Sequence, residues 1–241
     1  MIDDRLAEKV TKYTPDRQAL ASLRDVPIAL LVAPSGTGKN AIIHYLLKKY
    51  PSVYHLLVSH TTRAPRPNNG VMERDGVNYH FIDLQQAERL LDAKRYIEAN
   101  WYVGNVYGLT ADEVLAAQRE GKIGIDEIEA QGANDFAERL PTAKTIFIMP
   151  PSYEEWQHRL QKRYGDQKAD YERDLQDRVK TAKSELQNAL KHDYFYLVVN
   201  DTVERAAQQI HGIMHGRQAQ KRSPEAVAIA RTLLRRLQEI R

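Results

Sequence analysis

Lys39 closes the segment Ala33-Pro34-Ser35-Gly36-Thr37-Gly38-Lys39-Asn40, where two glycines and small polar residues lead directly into a lysine. That combination suits phosphate. Without bulky side chains, backbone N–H groups can converge on anionic oxygens while the lysine reaches the outer ones. The spacing follows G-x-x-x-x-G-K-[ST] with two changes. Ala33 takes the place of the first glycine and is still small. Asn40 replaces the hydroxyl residue that would meet Mg²⁺ and offers an amide oxygen instead. The residues Pro34, Ser35, Gly36, Thr37, Gly38, Lys39 and Asn40 therefore form the expected nucleotide-phosphate loop, which alone names no reaction.

A loop of this kind must be held between a strand and a helix. Ile28 to Val32 is a short apolar run with the composition of a buried strand. Ala41 to Tyr50 carries helical periodicity, with Ile42, Tyr45 and Leu46 on one face. The plainer alternative is a tight strand-to-helix turn bearing a solvated lysine; the element on each side favours phosphate binding.

A second basic segment follows the strand expected at Val53 to Val58. In Ser59-His60-Thr61-Thr62-Arg63-Ala64-Pro65-Arg66-Pro67, two arginines three apart sit on backbone stiffened by proline. They can converge on one phosphate through charge-assisted hydrogen bonds, or simply be two unpaired arginines on a solvated loop.

Together with Tyr79-His80-Phe81, Tyr96-Ile97-Glu98 and Gly104-Asn105-Val106-Tyr107-Gly108, that segment resembles the guanylate kinase family. The likeness continues through Gln131-Gly132-Ala133, Ile148-Met149-Pro150-Pro151-Ser152, Arg159 and Arg163, Arg178, and Val199-Asn200-Asp201. The resemblance implies an α/β P-loop kinase: a parallel five-stranded core sheet flanked by helices, a small β-rich insertion binding the monophosphate, and a helical lid. Residues 26–216 would form the kinase-like domain, with 59–109 binding GMP and 153–185 as the lid. It implies transfer of the γ-phosphoryl of ATP to GMP with Mg²⁺.

The roles implied by the resemblance fall on particular residues. Arg63, Arg66, Tyr79 and Tyr107 would hold the GMP phosphate. Glu98 and Glu129 would contact the base, and Ser59 would be a further GMP-binding residue; an ionised carboxylate only accepts, which suits the adjacent donors of guanine. Lys39, Arg159, Arg163 and Arg178 would neutralise charge on the transferred phosphoryl group, since this reaction depends on positioning and electrostatics. Asn40 and Glu127 would stand beside Mg²⁺. The chain departs from the family at Leu109, where a serine or threonine hydroxyl is usual, and at Glu127-Ile128-Glu129, where Asp-Ile-Asp is usual. Extra residues fall at Asn68-Asn69-Gly70. These departures leave open an enzyme of the same build with another or a relaxed acceptor base. Asn40 leaves open a non-catalytic, protein-binding relative.

Composition sets the remaining bounds. The chain has 241 residues, 28% of them charged, and no cysteine, which rules out disulfides and thiol zinc sites and fits a reducing cytoplasm. The first ten residues lack an apolar core, so no signal peptide is expected, and no apolar run is long enough to span a membrane. From Arg217 onward seven basic residues face two acidic ones, so the +3 overall leaves −2 for the rest, which argues against a nucleic-acid surface. Residues 1–25 read as a helical extension around Pro15. Residues 217–241 read as a basic amphipathic helix started by Ser223-Pro224, with the stripe Val227, Ala230, Leu234 and Leu237. These terminal helices would dock on the body or on a second subunit as a homodimer.

Overall fold

The computed structural model describes residues 2–68, 71–128, 130–165, 168–217 and 220–240. Helices α1 (Ile2–Thr11) and α2 (Arg17–Ser22) precede strand β1 (Ile28–Val32), helix α3 (Lys39–Lys49) and strand β2 (Tyr54–Leu56). Four two-residue strands follow: β3 (His60–Thr61), β4 (Pro67–Asn68), β5 (Val71–Met72) and β6 (His80–Phe81). Next come α4 (Leu84–Asp92), β7 (Tyr96–Tyr102), β8 (Asn105–Thr110), α5 (Ala111–Arg119), β9 (Ile123–Glu127) and α6 (Ala130–Arg139). The chain ends with β10 (Lys144–Met149), α7 (Tyr153–Tyr164), α8 (Lys168–Lys191), β11 (Tyr196–Val199), α9 (Val203–Met214) and α10 (Pro224–Gln238).

The chain divides into two compact units, Met1–Ile28 with Val53–Asp126 and Asn134–Ala143, and Ala29–Ser52 with Glu127–Ala133 and Lys144–Arg241. In the second unit β1 pairs with β10 and β10 with β11, both in parallel. All five residues of β1 are buried, and Ile146 to Met149 of β10 are fully buried. Such unbroken apolar runs belong to parallel strands covered on both faces. Helix α3 buries Ile42, Ile43 and Leu46, and α9 buries Ala206, Ala207, Ile210 and Ile213. Each fully buried Leu or Ile contributes about 1.5–3 kcal/mol. Tyr45 does not share that buried face. It is half-exposed and donates its hydroxyl to Glu204 at 3.0 Å, because a phenol keeps its polar tip wet.

In the first unit β2 pairs with β9 in parallel, and β6-β3-β8-β7 form a mixed sheet in which β3 runs parallel to β6 and antiparallel to β8. The strands are shorter than the apolar runs suggested, since Val53 and Val58 lie outside β2 and only His80 and Phe81 of the 78–82 run are in ladder geometry. The insertion also carries a helix, α4, fixed by an Asp83–Gln86 capping box. Leu6 and Val10 of α1 pack with Ala87 and Leu91 of α4 and with Tyr96 and Val106. Tyr13 donates to the Tyr96 carbonyl at 2.7 Å.

Helix α10 starts where the sequence places it: Ser223 accepts from the Ala226 N–H at 3.1 Å and Pro224 takes the first turn. Its buried stripe is Ala226, Ala230, Leu233 and Leu237, with Val227 and Leu234 half-buried at its edge. The expected stripe ran 227-230-234-237. Spacings of 3-4-3 and 4-3-4 both follow a helical face, and contact with α7, α8 and β11 selects the second. Arg222 donates to the carbonyls of Leu190 (3.0 Å) and His192 (2.8 Å), satisfying the end of α8. The apolar faces of α1 and α10 are thus covered within the chain's own units. No helix among the described residues is long and apolar enough to cross a membrane.

Candidate active site

The phosphate loop leaves β1 at Val32 and enters α3 at Lys39. The Pro34 carbonyl accepts from both the N–H (3.2 Å) and the hydroxyl (2.8 Å) of Thr37, which is fully buried. Closing so tight a turn needs left-handed backbone at Gly36 (φ +86°) and Gly38 (φ +91°), a region in which residues with a Cβ are strained. A Cβ at Gly38 would also lie 2.6 Å from the Asn200 amide nitrogen. Gly38 caps α3 without a side chain, so no side-chain acceptor competes for the first N–H groups of the helix. Ala33 is buried, which explains why a small residue is needed in the first glycine's place.

Side chains from α7 and α8 hold this loop. Arg159 donates to the Thr37 carbonyl at 3.3 Å and pairs with Glu155 at 2.7 Å. Arg178 donates to the Ser35 hydroxyl and to the Tyr164 hydroxyl, both at 2.7 Å. Asn200 donates to the Thr37 carbonyl at 2.6 Å. Lys39 lies 3.7 Å from the Glu127 carboxylate. Asn40 is exposed in the first turn of α3. Pro34, Ser35, Gly36, Thr37, Gly38, Lys39, Arg159 and Arg178 are thus brought together, with Glu127 beside the lysine. Arg163 lies on α7, but its side chain is outside the described residues, as is Glu129 altogether.

Two further residues of this group escaped the sequence reading. Trp156 donates its indole N–H to the Ser35 carbonyl at 2.9 Å, and the Tyr164 hydroxyl donates to Asp174 at 3.0 Å. Nothing in a charged amphipathic helix marks one aromatic as a loop contact rather than core packing.

In the first unit Arg63, Tyr79 and Tyr107 form a second group. Arg63 makes a two-pronged pair with Glu73 (2.8 and 3.2 Å) and donates to the Tyr107 hydroxyl at 3.2 Å. Its guanidinium lies 5.4 Å from the Tyr79 ring centroid, and the Tyr79 and Tyr107 rings meet edge-on at 5.9 Å. Glu73 also accepts the Arg66 backbone N–H at 3.1 Å, so one buried carboxylate fixes the whole Arg63–Arg66 loop. The Arg66 side chain itself stays 70% exposed, with its Nε 4.0 Å from Glu73. Arg63 is therefore not an unpaired loop cation, whereas the Arg66 guanidinium is largely solvated, as the plainer alternative above had it. Burial raises the Glu73 carboxyl, but hydrogen bonds from Arg63 and Arg66 outweigh it and hold the group below its ordinary value.

Glu98 is buried on β7. Burial, then the nearby negative charge of Asp135, pushes its carboxyl up to about 7, against the lowering effects of the Leu109 N–H and Arg139. Asn100 donates to Glu98 Oε2 at 2.5 Å. The Leu109 side chain is fully buried, so its backbone rather than any side-chain hydroxyl serves Glu98. Gly108 is required by closeness: a Cβ there would meet the Tyr96 ring at 2.7 Å and the Glu98 carbonyl at 2.8 Å. Ser59 donates to Asp126 at 3.1 Å. Asn100, Asp126, Asp135 and Arg139 were not legible as site residues, since each is a common polar type outside the quoted motifs. Among the described residues no cluster of three His, Asp or Glu side chains could hold a metal ion.

Known proteins resemble this chain in sequence and fold. The family model described as guanylate kinase covers residues 26–217. A guanylate kinase of Alcanivorax borkumensis is 37% identical over 210 residues, 86% of this chain and 96% of that protein. One from Alkalilimnicola ehrlichii is 38% identical over 181 residues, 75% of this chain and 84% of that protein. The crystal structure of guanylate kinase from Anaplasma phagocytophilum superposes with a TM-score of 0.57 at 27% identity, covering 90% of this chain and 97% of that one. On the family model over residues 26–217 and relatives at 37–38% identity over most of its length, this chain belongs to the guanylate kinase family of ATP:GMP phosphotransferases.

Proposed function

We propose that this chain transfers the γ-phosphoryl group of ATP to GMP through the following residues. Lys39 and the backbone N–H groups of residues 35–40 hold the ATP phosphates. Arg159, Arg163 and Arg178 stabilise charge that develops on the moving phosphoryl group. Arg63, Arg66, Tyr79 and Tyr107 hold the GMP phosphate, Glu98 and Glu129 contact guanine, and Ser59 belongs to the same GMP-binding set. Residues 59–109 serve as the acceptor-binding part and 153–185 as the lid, in a cytoplasmic enzyme whose partners are these two nucleotides. A homodimer built through the terminal helices would have to use faces other than the apolar ones already buried in the chain.

The carrying observation is the Arg63 group. One guanidinium is pinned by buried Glu73 and bonded to Tyr107, with Tyr79 against it. Four of the five Arg63 N–H donors are held by Glu73, Tyr107 and the Ala64 carbonyl, so what is fixed in place for a phosphate is one Nη2 hydrogen and the Tyr107 hydroxyl, with the exposed Arg66 guanidinium beside them.

Asn40 and Glu127 also fit the metal ion that this reaction uses. They offer an amide and a partly exposed carboxylate oxygen, and Mg²⁺ typically takes one or two protein oxygens while keeping waters and phosphate oxygens. When bound it would neutralise charge on the outer phosphates. Lys39, beside Glu127, supplies positive charge to the same oxygens.

The test is turnover with ATP against GMP, AMP, CMP and UMP. Turnover with GMP well above the other three is expected; equal turnover with AMP, or none at all, would overturn the assignment.

A further inference from the structure

We propose that Asn100 reads the base: its side-chain amide holds Glu98 and donates to the carbonyl oxygen at C6 of guanine. This rests on Glu98 being the base contact, as assigned above.

The β7–β8 pairing places the residue. Glu98 stands opposite Leu109 and Asn100 opposite Tyr107, with a register shift just before Glu98. Residues two apart on a strand share a face, and so do directly opposed residues of an antiparallel pair. Glu98, Asn100, Tyr107 and Leu109 therefore line one face. Tyr107 sits at one end against Arg63, 3.2 Å from its Nε. Asn100 lies between that phosphate-binding group and the buried carboxylate.

Hydrogen-bond chemistry gives it a task. The Asn100 amide nitrogen is 2.5 Å from Glu98 Oε2. An amide nitrogen carries two hydrogens, so one remains after the bond to Glu98. Guanine presents, side by side, an acceptor at C6, a donor at N1 and a donor on its exocyclic amine. The matching row is a donor and two acceptors, which Asn100 N–H and the two Glu98 oxygens provide. Leu109 cannot supply that donor from its side chain, and its backbone N–H already serves Glu98. Adenine reverses both positions, with an amine at C6 and a lone pair at N1. Asn100 would then face a donor while Glu98 faces an acceptor, so the pair discriminates twice. Asn100 is only half-buried, which leaves its amide reachable.

The experiment compares the parent with Asn100→Ala and Asn100→Asp on GMP, IMP, 6-thio-GMP and AMP. Removing one such hydrogen bond should raise KM for GMP about tenfold while kcat and KM for ATP stay within about twofold. IMP keeps the C6 carbonyl and lacks only the exocyclic amine, so its KM should rise by the same factor. On 6-thio-GMP the penalty should shrink to about twofold, because sulfur accepts weakly. Asn100→Asp keeps the volume, replaces the donor by a second carboxylate against Glu98 and should raise KM for GMP at least as much as alanine does. Equal losses on GMP and 6-thio-GMP, or an unchanged GMP KM with only a lower melting temperature, would mean that Asn100 merely props the hairpin. If the parent turns over GMP while both variants keep its KM and its preference over AMP, Asn100 alone has been misassigned. If the parent does not use GMP, the underlying reading of Glu98 fails with it.

Discussion

Glu73 Oε2 lies 2.8 Å from Arg63 Nη1 and 3.1 Å from the Arg66 backbone N–H, so a single buried carboxylate sets the geometry of the arginine loop. Glu73→Ala should free Arg63 and raise KM for GMP with little change for ATP. The lost charge-assisted bonds should cost about 1.5–3 kcal/mol of stability. The carboxyl is held below its ordinary value of 4.5, so its contribution is present above that pH and lost as pH falls through the folded-state value. Acid denaturation of parent and variant should therefore converge at low pH, and melting curves from pH 3 to 7 would check it.

Lys39 reaches Glu127 from the end of the loop. Lys39→Met should abolish phosphoryl transfer while leaving the melting temperature close to that of the parent, because the lysine is not part of the core. A variant with near-parental turnover would remove this loop from the mechanism.

Glu98 carries a pH dependence of known sign. Its carboxyl is pushed up to about 7, so in the ligand-free protein its contribution to stability is fully present below 4.5 and is lost as pH rises through about 7. In the proposed role Glu98 accepts from guanine in its ionised form, so kcat/KM for GMP should climb through that same range. The phosphate of GMP titrates nearby, so the diagnostic quantity is the difference between parent and Glu98→Gln. The variant should be less active throughout and should lack this step.

Arg178 bridges the Ser35 hydroxyl and Tyr164. Arg178→Ala should lower kcat about 10²–10³-fold, the scale seen when one positioned transition-state donor is removed. Tyr164→Phe removes only a bond that orients Arg178, so its loss of kcat should be smaller. Equal effects on KM for ATP and none on kcat would make Arg178 a ground-state contact.

Leu109 is fully buried. Leu109→Ser should therefore destabilise the protein by about 2–5 kcal/mol through the cavity it leaves, whatever its effect on the base. Chemical denaturation of the variant measures this directly; a neutral result would show that the position is not core.

The phosphate loop was legible because its chemistry is local. Gly36 and Gly38 adopt the left-handed backbone that a tight strand-to-helix turn needs, and the apolar run 28–32 is a strand buried on both faces. The α10 start was legible for the same reason, since Ser223 and Pro224 act within one turn. Local rules failed where a choice between nearly equal faces is made by neighbours. Val227 and Leu234 fit a helical stripe as well as Ala226 and Leu233 do, and only packing against α7, α8 and β11 separates them. The site divides in the same way. The spacing of Arg63 and Arg66 pointed to a phosphate contact, but their partner Glu73 becomes visible only when the loop folds back on itself. Glu98 stood in a recognisable motif, whereas the Asn100 amide and the charges of Asp135 and Arg139 that set its behaviour come from strand register and from a helix some forty residues away. Sequence by itself determined the residues whose chemistry is carried by neighbours along the chain. Tertiary structure decided those whose role depends on burial and through-space charge, because neither quantity exists until the chain has folded.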